Sequence, residues 1–175
     1  MTSSFHLAPE RPADAPLVSA LVARAFGPGR YAKTAERLRE GRTHIPALSF
    51  VAWVGDEAVG CVRLWPISVG GAEVLLLGPF AVDEGARSAG VGAALIRRAC
   101  EAAAAEGHRL ILLVGDEAYY APLGFSAAPA RAVRLPGPVD QNRVLVNALS
   151  AGAAEGLAGA VAARSLAHPI AMAAE

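Results

Sequence analysis

Residues 73–114 read EVLLLGPFAVDEGARSAGVGAALIRRACEAAAAEGHRLILLV, and the order of elements in this stretch decides the fold. Residues 73–82 are an apolar, strand-forming run, residues 91–106 an alanine-rich helix closed by Gly107, and residues 110–114 a wholly apolar strand. A strand with no polar position belongs at the centre of a sheet covered on both faces, and a strand, helix, strand succession makes a parallel crossover. Pro79 cannot donate to a ladder, so the first strand must bulge or leave its neighbour at Gly78-Pro79. That is where the sheet can open.

Upstream, residues 48–54, 58–69 and 73–82 read as three strands joined by turns at Gly55-Asp56-Glu57 and Gly70-Gly71, an antiparallel meander. Residues 14–26 place apolar side chains at 17, 18, 21, 22 and 25, the stripe of an amphipathic helix, with Asp14 as expected N-cap and Gly27-Pro28-Gly29 as stop. Residues 32–40 read as a second, short, charged helix. Downstream come a helical segment near 118–123 and strands around 130–135 and 143–149, whereas residues 150–175 are small-residue rich and receive no assigned structure. The expectation is a mixed α/β (α+β) chain: one domain over residues 1–149, with a mostly antiparallel central sheet, helices on both faces and one parallel strand-helix-strand crossover.

The 175 residues suffice for one well-buried core. Hydrophobic residues make up 54% and charged residues 18%, which excludes disorder as the main state. With 16 basic and 16 acidic groups there is no cation surplus to exchange for phosphate counterions, so no nucleic-acid partner is expected. No window of about 18 residues is apolar enough to span a bilayer, so no membrane partner is expected either. The amino terminus lacks a secretory pattern, and Cys61 and Cys100 stand far apart without a CxxC. Together these point to reduced thiols and a cytoplasmic location. His6, His44, His108 and His168 have no ligand spacing, so no metal is expected. The 40 alanines and single lysine inflate every motif that accepts Gly or Ala.

That inflation matters for Arg87, Ser88, Ala89, Gly90, Val91 and Gly92, an RxxGxG run between strand and helix. The first N–H groups of a helix are unpaired and attract anions, and glycines there let a phosphate approach the backbone. With this composition, [RQ]xxGx[GA] should arise about 0.5 times by chance, and a second copy runs from Arg24 to Gly29. The second copy ends a helix, where glycine is a C-cap; only the Arg87 copy follows a strand and precedes a helix. A dinucleotide fingerprint would need glycine at Leu95, and a Walker loop would need Gly-Lys where Lys33 follows Ala32. A serine-hydrolase elbow at Ser88 is disfavoured because Asp83-Glu84-Gly85 separates the serine from its strand.

From residue 5 to 149 the succession of two helices, meander, RxxGxG loop with its helix, buried strand and Tyr120-x-x-x-Gly124-Phe125 resembles the GCN5-related N-acetyltransferases. The run Gly115-Asp116-Glu117-Ala118-Tyr119-Tyr120 before Ala121-Pro122-Leu123-Gly124-Phe125 is similar to that of the bacterial YhbS-like subgroup. The resemblance implies the GNAT fold and acetyl-CoA as acetyl donor. It further implies that the backbone of Phe80, Ala81 and Val82 pairs with the pantetheine arm, that Arg87, Ser88, Ala89, Gly90, Val91 and Gly92 form the pyrophosphate loop, and that Tyr120 meets the thioester sulfur. Gly115-Asp116 stands where many members carry an asparagine, so the resemblance assigns no cofactor contact to this loop.

The implied reaction is attack of a neutral amine on the thioester, which needs a route for the amine's proton, donors to the oxyanion and an acid for the thiolate. A backbone N–H near Val82 suits the second need. A phenol with pKa about 10 suits the third, and Tyr120 is the expected acid, packing against the sheet being its bland alternative; Tyr119 is expected to pack. Glu73, at the start of the cleft-forming strand, is the carboxylate candidate for base, against an exposed strand-end glutamate or a water chain. Asp83 and Glu84 read as loop charges and His44 as a loop histidine. Residues 26–44 and 131–142 are the expected substrate-facing segments, the former carrying Arg30, Lys33, Arg37, Arg39 and Arg42 against Glu36 and Glu40, a mildly basic lip or simply a solvated face. Three readings stay open: acetylation of a small-molecule amine, acetylation of a protein amine, and an acyl-CoA-binding module without turnover. The amine acceptor is the expected partner, and a homodimer is left open.

Overall fold

The computed structural model describes residues 4–29 and 33–166. Arg30 and His168 therefore lie outside the described residues. In chain order the elements are β1 (His6–Pro9), α1 (Ala15–Phe26), α2 (Thr34–Arg37), β2 (Phe50–Val54), β3 (Glu57–Val69), β4 (Ala72–Val82), α3 (Val91–Ala105), β5 (Leu110–Val114), α4 (Glu117–Tyr120), β6 (Val133–Arg134), β7 (Val144–Ala148) and β8 (Gly159–Ala163).

The sheet runs β1-β2-β3-β4-β5-β7, antiparallel at every step except the parallel β4–β5 pair. This is the expected mixed sheet with its single crossover. α3 covers one face, where Leu95, Ile96 and Ala99 meet Val62, Leu64, Leu75 and Ile111 in the largest core cluster. Each fully buried aliphatic side chain there contributes roughly 1.5–3 kcal/mol of transfer free energy. The helix sits very close to the sheet: a Cβ on Gly60 would fall 2.9 Å from Leu95 Cδ1. α1 covers the other face through Val18, Leu21 and Val22 against Val51, Cys61 and Ala81.

Three expectations change. Asp14 makes no side-chain hydrogen bond to the start of α1; its carboxylate turns back to the Arg11 backbone N–H at 2.9 Å and to the Arg11 guanidinium. The Arg11 hydrogen bond holds Asp14 below the usual carboxylate range. Among the described residues the second helix shrinks to one turn, followed by turns through Gly41. Finally, residues 159–163, which carry no periodic signal, form β8. Its alternation is masked because only Val161 is large and buried, and its neighbours are alanine and glycine.

β8 solves an edge problem. β3 is 13 residues long and pairs with β2 only from Glu57 to Val62. Of the remaining seven residues on that edge, Ile67 to Val69 are covered by β8, whose other edge pairs with β6. None of the helices among the described residues is long and apolar enough to cross a membrane.

Candidate active site

β4 and β5 begin side by side and then separate. Their pairing comprises Leu75 with Ile111 and Leu76 with Leu112. Immediately beyond, the β3–β4 register shifts, so that Val62 faces Phe80 while Leu64 faces Leu77, leaving Gly78 and Pro79 opposite the single residue Arg63. Pro79 thus does what its missing N–H demands. The indole Nε1–H of Trp65 donates to the Gly78 carbonyl and fixes the bulge. From Leu77 onward the β5-facing edge of β4 carries no ladder partner, although Phe80, Ala81 and Val82 remain paired to β3 on the opposite edge.

The gap opens into a cavity of about 740 Å³. Its floor is Leu77 to Phe80 and Leu113 to Asp116; α1 contributes Val22 and Phe26, α2 all four of its residues with Lys33 before it and Arg39 after it, α4 both Tyr119 and Tyr120, and the far wall is Pro138, Val139, Asp140 and Arg143. The two walls are tied together where the buried Thr34 hydroxyl donates to the Pro138 carbonyl at 2.7 Å. Both expected substrate-facing segments therefore supply lining residues.

At the end of β4, residues Glu84–Ala89 make a 3-10 turn and Gly90, at φ +76°, enters α3. Only glycine takes that left-handed backbone without strain. No side chain among the described residues caps the start of α3, so its first N–H groups have no side-chain acceptor there. Arg87, Ser88, Ala89 and Gly90 are exposed around them, and Arg87 Nε donates back to the Val82 carbonyl at 3.3 Å. Val91 and Gly92 are buried. Gly92 is required for space: a Cβ there would lie 2.6 Å from the Tyr119 hydroxyl and 3.0 Å from Phe80 Cζ. The second RxxGxG copy behaves as a helix end, with the Gly27 N–H bonded to the Ala23 carbonyl, and its Arg24 pairs with Asp83 at 3.2 Å.

The run from Gly115 to Phe125 is a compact support. Asp116 pairs with Arg143 at 3.1 Å, and the Phe125 N–H returns to the Tyr120 carbonyl at 3.2 Å. Tyr120 sits between rings, with centroids 4.9 Å from Tyr119, 5.9 Å from Phe125 and 6.3 Å from Phe80. It lines the cavity, and its hydroxyl makes no protein hydrogen bond among the described residues. Burial raises the Tyr120 phenol well above its ordinary value, with Tyr119 and Asp116 adding to the effect and Arg143 opposing it. The group stays protonated at neutral pH and is a donor.

Tyr119, expected to pack, is 49% exposed, lines the same cavity and leans over Gly92; the Tyr-Tyr doublet was the available signal. Val139 and Asp140 fall within the expected 131–142 segment, whereas Arg143 lies just beyond it and was missed because nothing local marks it as the residue that pairs with Asp116 at the cavity. Glu73 is not brought to the site. It is absent from the lining, its side chain is 74% exposed, and it pairs with Arg164 at 2.7 Å. His44 is not in the lining either; its Nδ1 lies 3.0 Å from the Ser49 hydroxyl and its Nε2 3.6 Å from Glu10, which Arg63 grips in two hydrogen bonds. No group of three His, Cys, Asp or Glu side chains among the described residues could hold a metal.

A sheet opened beside a bare helix start is the architecture of an acyltransferase, and over residues 17–125 the chain matches the acetyltransferase (GNAT) family, to which it belongs. Within that family it is similar to the uncharacterized N-acetyltransferase YhbS of Escherichia coli strain K12, 30% identical over 155 residues that span 87% of this chain and 92% of that one. The crystal structure of E. coli YhbS in complex with CoA aligns with a TM-score of 0.79 at 28% identity, covering 91% of this chain and 89% of that chain. A GNAT family acetyltransferase of Brucella melitensis in complex with acetyl-CoA aligns with a TM-score of 0.57 at 29% identity, covering 81% and 95%.

Proposed function

We propose that the protein transfers the acetyl group of acetyl-CoA to a primary amine of a small molecule, by direct attack within a ternary complex. The observation that carries this reading is the β4–β5 gap, whose cavity is lined by the unpaired strand edge at Gly78, Pro79 and Phe80 and by the protonated Tyr120 phenol, with the uncapped start of α3 outside the lining but adjacent through Gly92, whose Cβ position lies 3.0 Å from Phe80 Cζ. The similar E. coli and Brucella proteins are those with CoA and acetyl-CoA bound.

The residues fit such a donor. The free edge at Phe80, Ala81 and Val82 offers strand-like pairing to the amide-containing pantetheine arm. The N–H groups from Gly90 to Gly92, with Arg87 and Ser88 beside them, offer a site for the pyrophosphate. When bound, acetyl-CoA supplies an activated thioester. The chain's own part is to hold the edge N–H groups of β4 toward developing negative charge on oxygen and to hold the proton on Tyr120 Oη for the departing sulfur. The amine's proton leaves through solvent in the cavity, where Asp140 is the lining carboxylate without an ion-pair partner among the described residues. Glu73, turned to Arg164 outside the cavity, has no part in this scheme.

A small acceptor is favoured over a protein segment by the Thr34–Pro138 bridge, which closes across the two walls that a polypeptide would have to lie between. A cytoplasmic location belongs to the same reading and is supported by Cys61 and Cys100 both being free thiols. Thermal shift and calorimetry with acetyl-CoA, CoA and NADH, followed by thiol release with an amine panel, test it. Stabilisation by the CoA species and amine-dependent thiol release are expected; no stabilisation by either CoA species overturns the proposal.

A further inference from the structure

The acceptor side of the cavity carries an uneven charge. Four cations line it, Lys33, Arg37, Arg39 and Arg143, against three carboxylates, Glu36, Asp116 and Asp140. Two of the cations are occupied within the wall: Arg39 is held by Glu36 at 2.7 Å and Arg143 by Asp116 at 3.1 Å. Asp140 spends its carboxylate on the Asn142 N–H at 3.0 Å. Lys33 and Arg37 have no carboxylate partner among the described residues.

These two cations are not scattered surface charges. They stand four residues apart, Lys33 as the extended residue that leads into α2 and Arg37 as the last residue of that turn. Lys33 Nζ is seated 5.0 Å from the Phe26 ring centroid, at the end of α1. Arg37 is set against the opposite wall, where a Cβ on Gly137 would lie 3.7 Å from its Nη1. Between them Thr34, buried and bonded to Pro138, stops the turn from swinging away. A planar guanidinium so placed is suited to a carboxylate or phosphate in two parallel hydrogen bonds.

We infer that the acceptor is an amine that also bears an oxyanion, a carboxylate or a phosphate, which Arg37 and Lys33 hold at the cavity mouth while the amine reaches the β4–β5 gap. The inference rests on the acetyl-transfer reading, and it adds the chemical class of the acceptor. Val22, Phe26 and Val139 give the same cavity an apolar lining, which suits an acceptor with an aliphatic stretch between its two polar ends.

The test offers the enzyme amines in matched pairs under saturating acetyl-CoA: 4-aminobutyrate beside butylamine for the carboxylate, and phosphoethanolamine beside ethanolamine for the phosphate. In at least one pair the charged member should have a kcat/KM at least tenfold above its neutral partner, and the better pair identifies the oxyanion. Arg37→Gln should reduce that ratio about tenfold, chiefly through KM, and Arg37→Lys should recover only part of it, because charge returns without the fork. Raised salt should shrink the ratio as well, since both cations are exposed. Ratios at or below one in both pairs, or a ratio that Arg37→Gln and Lys33→Gln leave unchanged, overturn the inference while leaving acetyl transfer intact. So does a protein that acetyl-CoA stabilises but that neither turns over nor is further stabilised by any oxyanion-bearing amine. Failure of acetyl-CoA and CoA to stabilise the protein overturns the acetyl-transfer reading itself, and this inference with it.

Discussion

Replacing Tyr120 by phenylalanine separates its chemical role from its packing. The ring makes three aromatic contacts, with Tyr119, Phe125 and Phe80, all of which a phenyl group keeps. The hydroxyl makes no protein hydrogen bond among the described residues, so its loss leaves no buried partner unsatisfied. Stability should therefore change by no more than about 0.5 kcal/mol, a shift of about 2 °C or less in Tm for a chain of this size. Turnover should respond very differently. Loss of a positioned proton donor costs about 10²–10⁴-fold, so kcat should fall at least about 100-fold, roughly 2.7 kcal/mol in the barrier. Thiol release under saturating acetyl-CoA, with differential scanning fluorimetry on the same samples, reads both quantities. The pH dependence gives a further check. Because burial raises the phenol, wild-type activity should show no loss from this group below pH about 10, and any alkaline decline above that should vanish in Tyr120→Phe. A folded Tyr120→Phe sample with full turnover and the wild-type pH profile would refute the acid assignment. Tyr119→Phe, on the more exposed ring, is the matched control and should lose less than about threefold in kcat.

Other perturbations address the scaffold. Gly124 sits at φ +95°, with a Cβ position 3.1 Å from the Asn147 amide, so Gly124→Ala should cost about 2 kcal/mol and lower Tm by about 4–8 °C; a change under about 0.5 kcal/mol would contradict the backbone argument. Burial lowers the His44 pKa, with Glu10 opposing and Arg63 assisting, so below about 6.5 the unfolded chain takes up a proton that the folded protein refuses. Its contribution is thus present above about 6.5 and lost as pH falls, and His44→Gln should flatten the decline of urea-denaturation stability between pH about 6.5 and 5; equal slopes would show that another group dominates. Val161→Ala removes the large buried side chain of β8 and should destabilise by about 2 kcal/mol in the same assay, whereas a dispensable strand would give no change.

The opening between β4 and β5 and the turn that follows it were legible because their signals are local. Pro79 announced the opening of the sheet by a property of one residue, its missing N–H. The Arg87 loop was recognisable only through its neighbours, since the same pattern at Arg24 is the end of a helix. Tyr120 was found through the spacing to Gly124 and Phe125, and Gly124 proves necessary there for its backbone angle and for the room that Asn147 occupies. The acceptor side was harder to read, being made by tertiary pairings between distant segments. Thr34 meets Pro138 across 104 positions, and no periodicity reports such a contact. Glu73 shows the converse hazard: its strand does form the cleft, but strand ends point away from where the strand opens, and Arg164 was waiting there. β8 was hidden by composition, because alanine and glycine give a buried strand no alternation to read.

β8 also sets a temporal order for building the site. The loop and helix of residues 84–105 are finished early in synthesis, the cavity wall at residues 138–143 follows, and β8, which holds β6 and covers the edge of β3, comes near the end of the chain. At about 5–20 residues per second, roughly 4–14 s separate emergence of Gly92 from that of Ala163. For part of that interval the nascent chain has both cavity walls and the Thr34–Pro138 tie between them but lacks the strand that covers Ile67 to Val69 of β3. A message cut short before β8 would therefore yield a chain with its cavity walls in place but with bare strand edges on β3 and β6, open to pairing with another chain.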